Sequence, residues 1–494
     1  MDWNKLQNGS DIRGVALEGI EGESVNLTTE VTTALAQAFV AWLGEKNGKT
    51  AQIIAVGSDS RLSSPTLRQA FADGAAAAGA TVLNFGMAST PAMFMATVDE
   101  QLCADGAVMV TASHLPWNRN GLKFFTAKGG LEKADIARIL ELAPQFMGTE
   151  TKGCGEVKVV DFMATYCDIL VNYIRRGVNN GDQPLQGMHI IVDAGNGAGG
   201  FFANNVLKSL GADTTGSQFL EPDGNFPNHI PNPENKEAMA SICKAVVEHK
   251  ADLGIIFDTD VDRSAIVDRT RKSINRNALI ALISAVILRE HPGSTIVTDS
   301  VTSDGLAKFI ADRNGKHHRF RRGYKNVINE SLRLNANGEE SWLAIETSGH
   351  AALRENYFLD DGAYLVAKLI VEAACLRKEG KELQDLIADL QQPVESKEIR
   401  FKIGTNDFKA YGEQVLEHIK TAAEKESDWQ LVSPNYEGVR IACTSEEEQG
   451  WFLLRQSLHD PVLPLNIESN VEGGVNRITE QVLNLLSDFK ALKQ

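Results

Sequence analysis

Ile53-Ile54-Ala55-Val56-Gly57-Ser58-Asp59-Ser60-Arg61-Leu62-Ser63-Ser64-Pro65 passes from an apolar, β-like tetrapeptide into a Gly/Ser loop that ends on a proline. Helical positions follow from about Pro65 to Ala78. Proline is tolerated in a first helical turn, where its missing N–H would have no partner. Gly79-Ala80 then leads into a second extended run, Thr81-Val82-Leu83. The same plan recurs twice. His189 to Val192 reads as a strand, Asp193 to Gly200 as its loop, and a helix runs to Leu210 before Gly211-Ala212 repeats the ending. Thr295 to Thr298, the loop Asp299 to Gly305 and a helix to about Asp312 form the third copy. Strands separated by helices predict βαβ units and mixed or parallel sheets. The threefold recurrence predicts three related α/β domains.

A chain of 494 residues is too long for one core, and length suggests about three or four domains. Val31, Leu35, Phe39 and Trp42 share a helical face, which reads as core of the first domain. Gln391-Gln392-Pro393 marks a last linker, after which the repeat stops and short strands and helices predict a smaller α+β domain. With 49 basic and 65 acidic residues the net charge is −16. Phosphate backbones want a positive surface, so nucleic acid is not an expected partner. The longest apolar run, around Ala278 to Leu288, is too short to span a bilayer and reads as a buried helix. No membrane association is expected, and Met1 to Asp11 lacks a signal peptide's apolar stretch. Six scattered cysteines without a Cys-x-x-Cys pair read as reduced, mostly buried thiols of a cytoplasmic protein.

Four stretches carry chemistry. Val108 to Phe125 feeds a short strand into a polar turn holding Ser113 and His114, a hydroxyl beside an imidazole. Phe257-Asp258-Thr259-Asp260-Val261-Asp262-Arg263 follows the strand Leu253 to Phe257. Three carboxylates so spaced repel one another unless neutralised, and hard oxygen donors suit Mg²⁺. An EF-hand is excluded, because Arg263 stands where that loop needs glycine and Arg269 where it needs glutamate. In Ala344-Ile345-Glu346-Thr347-Ser348-Gly349-His350, Glu and Ser suit vicinal sugar hydroxyls and His suits proton transfer. Arg455-Gln456-Ser457-Leu458-His459-Asp460-Pro461, after the strand Trp451 to Leu454, offers a guanidinium, a hydroxyl and backbone N–H groups to a phosphate.

In this order the four stretches resemble the α-D-phosphohexomutase superfamily, whose patterns are Thr-Ala-Ser-His-Asn-Pro, Asp-Gly-Asp-Gly-Asp-Arg, Gly-Glu-x-Ser-Gly-His and Arg-x-Ser-Gly-Thr-Glu-Pro. Here they read Thr111 to Pro116, Asp258 to Arg263, Ile345 to His350 and Arg455 to Pro461, with further matches at Asp11-Ile12-Arg13-Gly14 and at Ser63-Ser64-Pro65 after Arg61. Leu115 replaces the family's Asn, Thr259 and Val261 replace both glycines of the metal loop, and Leu458, His459 and Asp460 replace Gly-Thr-Glu. The resemblance implies an α/β fold of three related mixed-sheet domains plus a smaller C-terminal α+β domain around a central cleft. The boundaries expected are 1–153 (phosphoserine loop), 154–264 (metal loop), 265–392 (sugar loop) and 393–494 (phosphate loop).

The activity implied is interconversion of hexose 1-phosphate and hexose 6-phosphate, mannose and/or glucose, through a phosphoserine at Ser113. Mg²⁺ is expected between that phosphate and Asp258, Asp260 and Asp262, with a hexose 1,6-bisphosphate as activator and bound intermediate. Arg13 and Arg263, with Lys123, are expected as positive partners of the reacting phosphate. Lys123 and His350 are both candidates for proton transfer, and His114 is expected to shape the serine loop. Glu346, Ser348, Arg455, Ser457 and Lys325 are the expected substrate ligands. The partners expected are small hexose phosphates, and the assembly a monomer or homodimer. Phosphoglucosamine mutase is an alternative activity, and a sugar-phosphate-binding protein without turnover an alternative class. Gly195-Asn196-Gly197-Ala198-Gly199-Gly200 also satisfies a dinucleotide-binding pattern, with Glu221 at about the expected distance. That reading leaves Ser113 and the three aspartates idle. A dehalogenase-like phosphatase using Asp258 and Asp260 would want Thr or Val where Asp262 stands.

Overall fold

The structure, a computed structural model, describes residues 2–148, 153–457 and 460–493. The chain divides into two units, Met1–Leu279 with Ser348–Asp385, and Ile280–Thr347 with Leu386–Gln494.

In the first unit, strands Ile53–Ser58, Thr81–Met87, Gly106–Val110 and Glu156–Val159 run parallel. Arg119–Thr126 and Asp11–Val15 extend the sheet antiparallel beyond Gly106–Val110. Ile54–Val56 and Gly106–Val110 are buried throughout, as expected of strands covered on both faces. Val31, Leu35, Phe39 and Trp42 of the helix Thr29–Asn47 are all buried. The Phe39 ring lies 4.9 Å from that of Phe124 and 6.3 Å from that of Phe71, so the aromatic cluster locks this helix onto the sheet. The helix Ser64–Ala77 begins with Pro65, and Thr90–Val98 is capped by Ser89, which accepts from the Ala92 N–H.

A second sheet in this unit pairs Ile190–Asp193 parallel to Leu253–Phe257, which turns back antiparallel into Ser264–Asp268. Here the repeat departs from expectation. The expected helix ending at Leu210 is a π-helical stretch, Phe202–Leu207, closed by a 3₁₀ turn, Lys208–Leu210. The strand expected after it is reduced to isolated bridges, His189 with Asp213 and Asp193 with Gln218. The cause is local. Gly199 and Gly200 let the backbone press against the Phe257 ring and the Leu220 carbonyl, where an added Cβ would lie 3.1 and 2.4 Å away. Asn204 and Asn205 supply little helix preference of their own, so packing sets the period. The hairpin Ala351–Leu353 with Leu359–Asp360 and the helix Gly362–Lys378 complete the unit.

In the second unit, Thr295–Thr298 runs parallel to both Lys316–Arg319 and Ser341–Ile345. The apolar run near Ala278 is the helix Asn277–Glu290, with Leu282, Ile283, Val286 and Ile287 buried. Among the described residues the C-terminal sheet is antiparallel throughout, in the order Trp429–Leu431, Val439–Cys443, Gly450–Leu454, Val462–Ser469, Glu395–Ile403, Leu492–Lys493. Helices Phe408–Ala423 and Gly474–Leu486 contribute Val415, Ile419, Ile478 and Val482 to its core. All six cysteines are free thiols, but Cys103 and Cys154 are exposed and Cys375 half-buried, so the expectation of mostly buried thiols holds for only half of them. Those outside the core sit in loops or on a helix flank, where no apolar face covers them. Among the described residues no helix is long and apolar enough to cross a membrane.

Candidate functional site

Ser113 sits in the loop joining the antiparallel strands Gly106–Val110 and Arg119–Thr126. Its φ of +49° is a left-handed value, uncommon for a residue with a Cβ. The surroundings hold it there. The Ser113 N–H donates to Thr111 Oγ1 at 2.9 Å, and that hydroxyl donates to Asp59 Oδ2 at 2.7 Å. Arg61, fully buried, donates to the carbonyls of Leu115, Pro116 and Arg119 at 2.6, 2.8 and 3.1 Å, and also to that of Ser113. Its Nε lies 3.3 Å from Asp59 Oδ2. The irregular loop thus has its carbonyls satisfied by one rigid guanidinium fork. Arg13 adds a bond from Nη1 to the Thr111 carbonyl at 2.9 Å, and its Nη2 pairs with Asp11.

The acidic loop joins Leu253–Phe257 to Ser264–Asp268 and brings its first carboxylate, Asp258, onto this serine and the other two onto Lys123. Ser113 Oγ donates to Asp258 Oδ2 at 2.8 Å. Arg263 Nη2 donates to Ser113 Oγ at 2.8 Å and to Asp258 Oδ2 at 3.0 Å. Lys123 Nζ donates to Asp260 Oδ2 at 2.9 Å and also to Asp262 Oδ2. Thr90 Oγ1 donates to Asp260 Oδ2 at 2.5 Å. Two oxygens are left over: Asp260 Oδ1 and Asp262 Oδ1 are buried and accept no hydrogen bond. Asp258, Asp260 and Asp262 each offer an oxygen within 4.8 Å of the others. Buried carboxylate oxygens without donors are what a hard divalent cation takes as ligands, so the residues fit Mg²⁺. Val261 lies at φ +68° where the family pattern has glycine, and its side chain is fully buried. Its carbonyl accepts from the Gly362 N–H at 3.2 Å, which helps hold an unfavourable backbone in place.

His350 pairs with Arg263 across an antiparallel bridge. Its Nδ1 is 2.5 Å from Asp360 Oδ2 and 3.9 Å from Asp262 Oδ1. Burial opposes its charge, yet the two carboxylates raise its pKa to about 9, making it an imidazolium. Burial also opposes the charge of Lys123, but Asp260 and Asp262 hold the ammonium charged far above neutrality. For His114, whose surface is exposed although protein crowds the ring, that crowding and the Arg263 charge lower the pKa. It is a neutral ring whose Nδ1 accepts from Arg263 Nη2 at 2.8 Å, so it braces the arginine rather than taking up protons. Asp262 is held below the ordinary carboxylate range: burial works against this, and Lys123, His350 and Arg263 outweigh it.

In the second unit, Glu346 is buried and its Oε1 accepts from the Gly323 N–H at 2.6 Å. Lys325 follows in the first turn of the helix Tyr324–Ala336. Arg455 is 7% exposed, with its Nη1 3.9 Å from Glu437 Oε1. The Ser457 N–H donates to the Val462 carbonyl at 2.9 Å, and Ser457 Oγ accepts from the Asp460 N–H at 3.3 Å. Leu458 and His459 lie outside the described residues. Ser348, buried, stands at the edge of the first unit, two residues from Glu346.

The expected residues Ser113, His114, Arg13, Lys123, Asp258, Asp260, Asp262, Arg263 and His350 therefore gather in one unit, whereas Glu346, Lys325, Arg455 and Ser457 belong to the other. Sequence reasoning missed Asp59, Thr90, Asp360 and the role of Arg61. Only Arg61 carried a signal, through its place just before Ser63-Ser64-Pro65.

Comparison with known proteins gives one answer along the chain. Residues 4–145, 164–272 and 275–394 match the models for phosphoglucomutase/phosphomannomutase α/β/α domains I, II and III. A phosphoglucomutase of Neisseria gonorrhoeae is 30% identical over 465 residues, covering 94% of this chain and 93% of that protein. A phosphomannomutase of Escherichia coli is 31% identical over 492 residues, covering 96% and 98%. The crystal structure of a phosphoglucomutase/phosphomannomutase family protein from Burkholderia thailandensis superposes with a TM-score of 0.78 at 25% identity, covering 98% of this chain and 97% of that one.

Proposed function

The chain belongs to the phosphoglucomutase/phosphomannomutase family, and on that premise we propose that it moves a phosphoryl group between O1 and O6 of a hexose by way of Ser113. It is a phosphotransferase of the mutase type that interconverts hexose phosphates. The finer reading is that mannose or glucose phosphates, or both, pass through a bound 1,6-bisphosphate. One observation carries it: a serine hydroxyl 2.8 Å from both a carboxylate and a guanidinium, beside two buried carboxylate oxygens that accept no hydrogen bond.

In this reading the forward half-reaction breaks the bond between phosphorus and Ser113 Oγ and forms one to the sugar oxygen; the proton lost by the sugar hydroxyl is balanced by the one gained by Ser113 Oγ, which is left as a free hydroxyl beside the sugar phosphate. Arg263 Nη2, already on Ser113 Oγ, offsets the charge that develops there as the bond breaks. Lys123 and His350 are both cations and so are in the acid form, ready to protonate a leaving oxygen. Asp258, Asp260 and Asp262 would hold Mg²⁺, which when bound offsets charge on the transferring phosphoryl group. The return half-reaction takes the other phosphate back to Ser113. Glu346 and Ser348 are assigned to vicinal hydroxyls, which either sugar orientation presents. Arg455, Ser457 and Lys325 are assigned to the phosphate that is not being transferred. A grip on O3 and O4 leaves C2 unread, which is why glucose and mannose both fit. The same reading places the enzyme in the cytoplasm as a monomer or homodimer.

The test is incubation with Mg²⁺ and glucose 1,6-bisphosphate, followed by peptide mass spectrometry and by turnover of glucose 1-phosphate and mannose 1-phosphate. Phosphate on Ser113 with turnover is the expected result. Turnover with Ser113 unmodified would refute the phosphoserine, and no turnover with either sugar would refute the substrate assignment.

A further inference from the structure

Three donors in the second unit already converge on an anion, and that anion is part of the chain. Ser300 lies in the turn after Thr295–Thr298, and Arg322 in the turn before the helix Tyr324–Ala336. Glu437 lies just before the strand Val439–Cys443. Its Oε2 accepts from Ser300 Oγ and from the Arg322 N–H, the latter at 3.2 Å. Its Oε1 lies 3.9 Å from Arg455 Nη1, and both side chains are 9% exposed. Hydroxyl, backbone N–H and guanidinium are the donor set that recognises a phosphate monoester. Arg455 is not satisfied by its carboxylate: at 3.9 Å the contact is an ion pair without a hydrogen bond, and its buried Nε has no acceptor among the described residues. Burial weakens the hold of its proton, Glu437 strengthens it, Arg322 weakens it again, and the more distant Asp299 and Glu398 add lesser support. A second carboxylate, Asp299 Oδ2, lies 3.4 Å from Arg322 Nε and is already occupied by Thr347 Oγ1 at 2.7 Å. Glu437 is therefore the acid in this cluster whose removal would free the donors.

We infer that Glu437 is a resident stand-in for the substrate's non-transferring phosphate and sets the specificity of the Arg455 subsite. A phosphate monoester entering this seat takes Arg455 and displaces the carboxylate from Ser300 and the Arg322 N–H. The displacement costs binding energy. A hexose phosphate recovers it through its hydroxyl contacts, whereas free orthophosphate cannot. Glu437 thus keeps the subsite from being filled by the inorganic phosphate of the medium. The inference rests on the reading above that Arg455 receives this phosphate.

The experiment is titration calorimetry of the full chain with orthophosphate and, separately, with glucose 6-phosphate, for wild type, Glu437→Gln, Glu437→Asp and Arg455→Met. Glu437→Gln is expected to bind orthophosphate about tenfold tighter, consistent with removing one carboxylate at ion-pair distance, and to gain less for glucose 6-phosphate, so that discrimination falls. Glu437→Asp keeps the charge but draws the carboxylate back from Ser300 and the Arg322 N–H while leaving both donors in place, and is expected to act in the same direction by a few-fold, which covers the case of a poorly folding Glu437→Gln variant. Unchanged or weaker orthophosphate binding in both variants would overturn the inference and make Glu437 a plain counter-ion that positions Arg455. Arg455→Met separates the two readings: undiminished phosphate binding there removes Arg455 as the phosphate ligand, whatever Glu437 does.

Discussion

Arg61 shows how much of a reacting centre rests on a side chain that never meets the substrate. Its fully buried guanidinium donates to the carbonyls of Ser113, Leu115, Pro116 and Arg119 and pairs with the buried Asp59. Arg61→Met would leave those carbonyls and the Asp59 charge unpaired, and breaking a buried pair in this way costs about 3–5 kcal/mol. We expect a lowered denaturation midpoint together with loss of Ser113 phosphorylation. Arg61→Lys should not restore the phosphorylation, because an ammonium is a point charge and cannot span the fork. Ser113→Ala removes a single hydroxyl among residues that keep their other bonds. It should keep wild-type stability and the Mg²⁺ affinity of the unphosphorylated wild type while turnover falls at least about a thousandfold. A comparable loss of metal binding in that variant would mean that Ser113 is structurally required at the cation site.

The elements that carry these residues are fixed by close backbone approach and by buried clamps. Gly121 pairs with Arg13 where an added Cβ would meet the Ile12 carbonyl at 2.2 Å and Arg13 Cδ at 2.7 Å. Gly121→Ala should therefore cost about 3 kcal/mol, an overpacking penalty, read as a lower thermal midpoint. A second clamp is His229 on Asp193. The ring meets only acceptors: Asp193 Oδ2 at 2.9 Å, Asp193 Oδ1 at 3.1 Å and the Ile230 carbonyl at 3.0 Å, with the Phe219 ring edge-on at 5.3 Å. Burial disfavours the imidazolium, but the hydrogen bond and charge of Asp193 outweigh it and the pKa is raised. The stabilisation is thus complete below the unfolded value of about 6.5 and is lost as pH rises through the raised folded value. The midpoint difference between wild type and His229→Gln should be larger at pH 6 than at pH 9, and a difference that grows with pH would contradict the clamp. These contacts also mark the limit of what a sequence can disclose. Ser113 and the three aspartates were legible because their chemistry demands given residue types at short spacing, and strands such as Ile53–Ser58 and Leu253–Phe257 because they are mostly apolar, whereas the polar parallel strands Glu156–Val159 and Lys316–Arg319 carry no such signal. Asp59 and Thr90 were not, since they reach Thr111 and Asp260 across 52 and 170 residues of chain. The π-helical turn at Phe202 was equally hidden, because its cause is the wall the glycines press against rather than any local preference.

For the whole molecule, the question is how a chain of net charge −16 manages anionic substrates. Positive charge is gathered where it is used. Lys123, Arg263 and His350 stand among Asp258, Asp260, Asp262 and Asp360, three cations against four acids. Chelation of divalent metal should abolish turnover, and Mg²⁺ should restore it and raise the thermal midpoint by an amount that grows with its concentration, as for any ligand of the native state. A midpoint insensitive to Mg²⁺ would argue against the aspartate loop as its site. The near balance of this cluster has a thermodynamic corollary. A dication alone would leave it with excess positive charge, and a phosphoserine alone, which adds about two negative charges, would leave it with an excess of the other sign. Each event relieves the imbalance the other creates, so cation affinity and phosphoryl occupancy are coupled, and by reciprocity the coupling is equal in both directions. The phosphorylated enzyme should hold Mg²⁺ more tightly than the unphosphorylated one, by the same factor by which Mg²⁺ favours the phosphorylated state. The ambient magnesium level would then set how much of the enzyme stands primed for its next turnover.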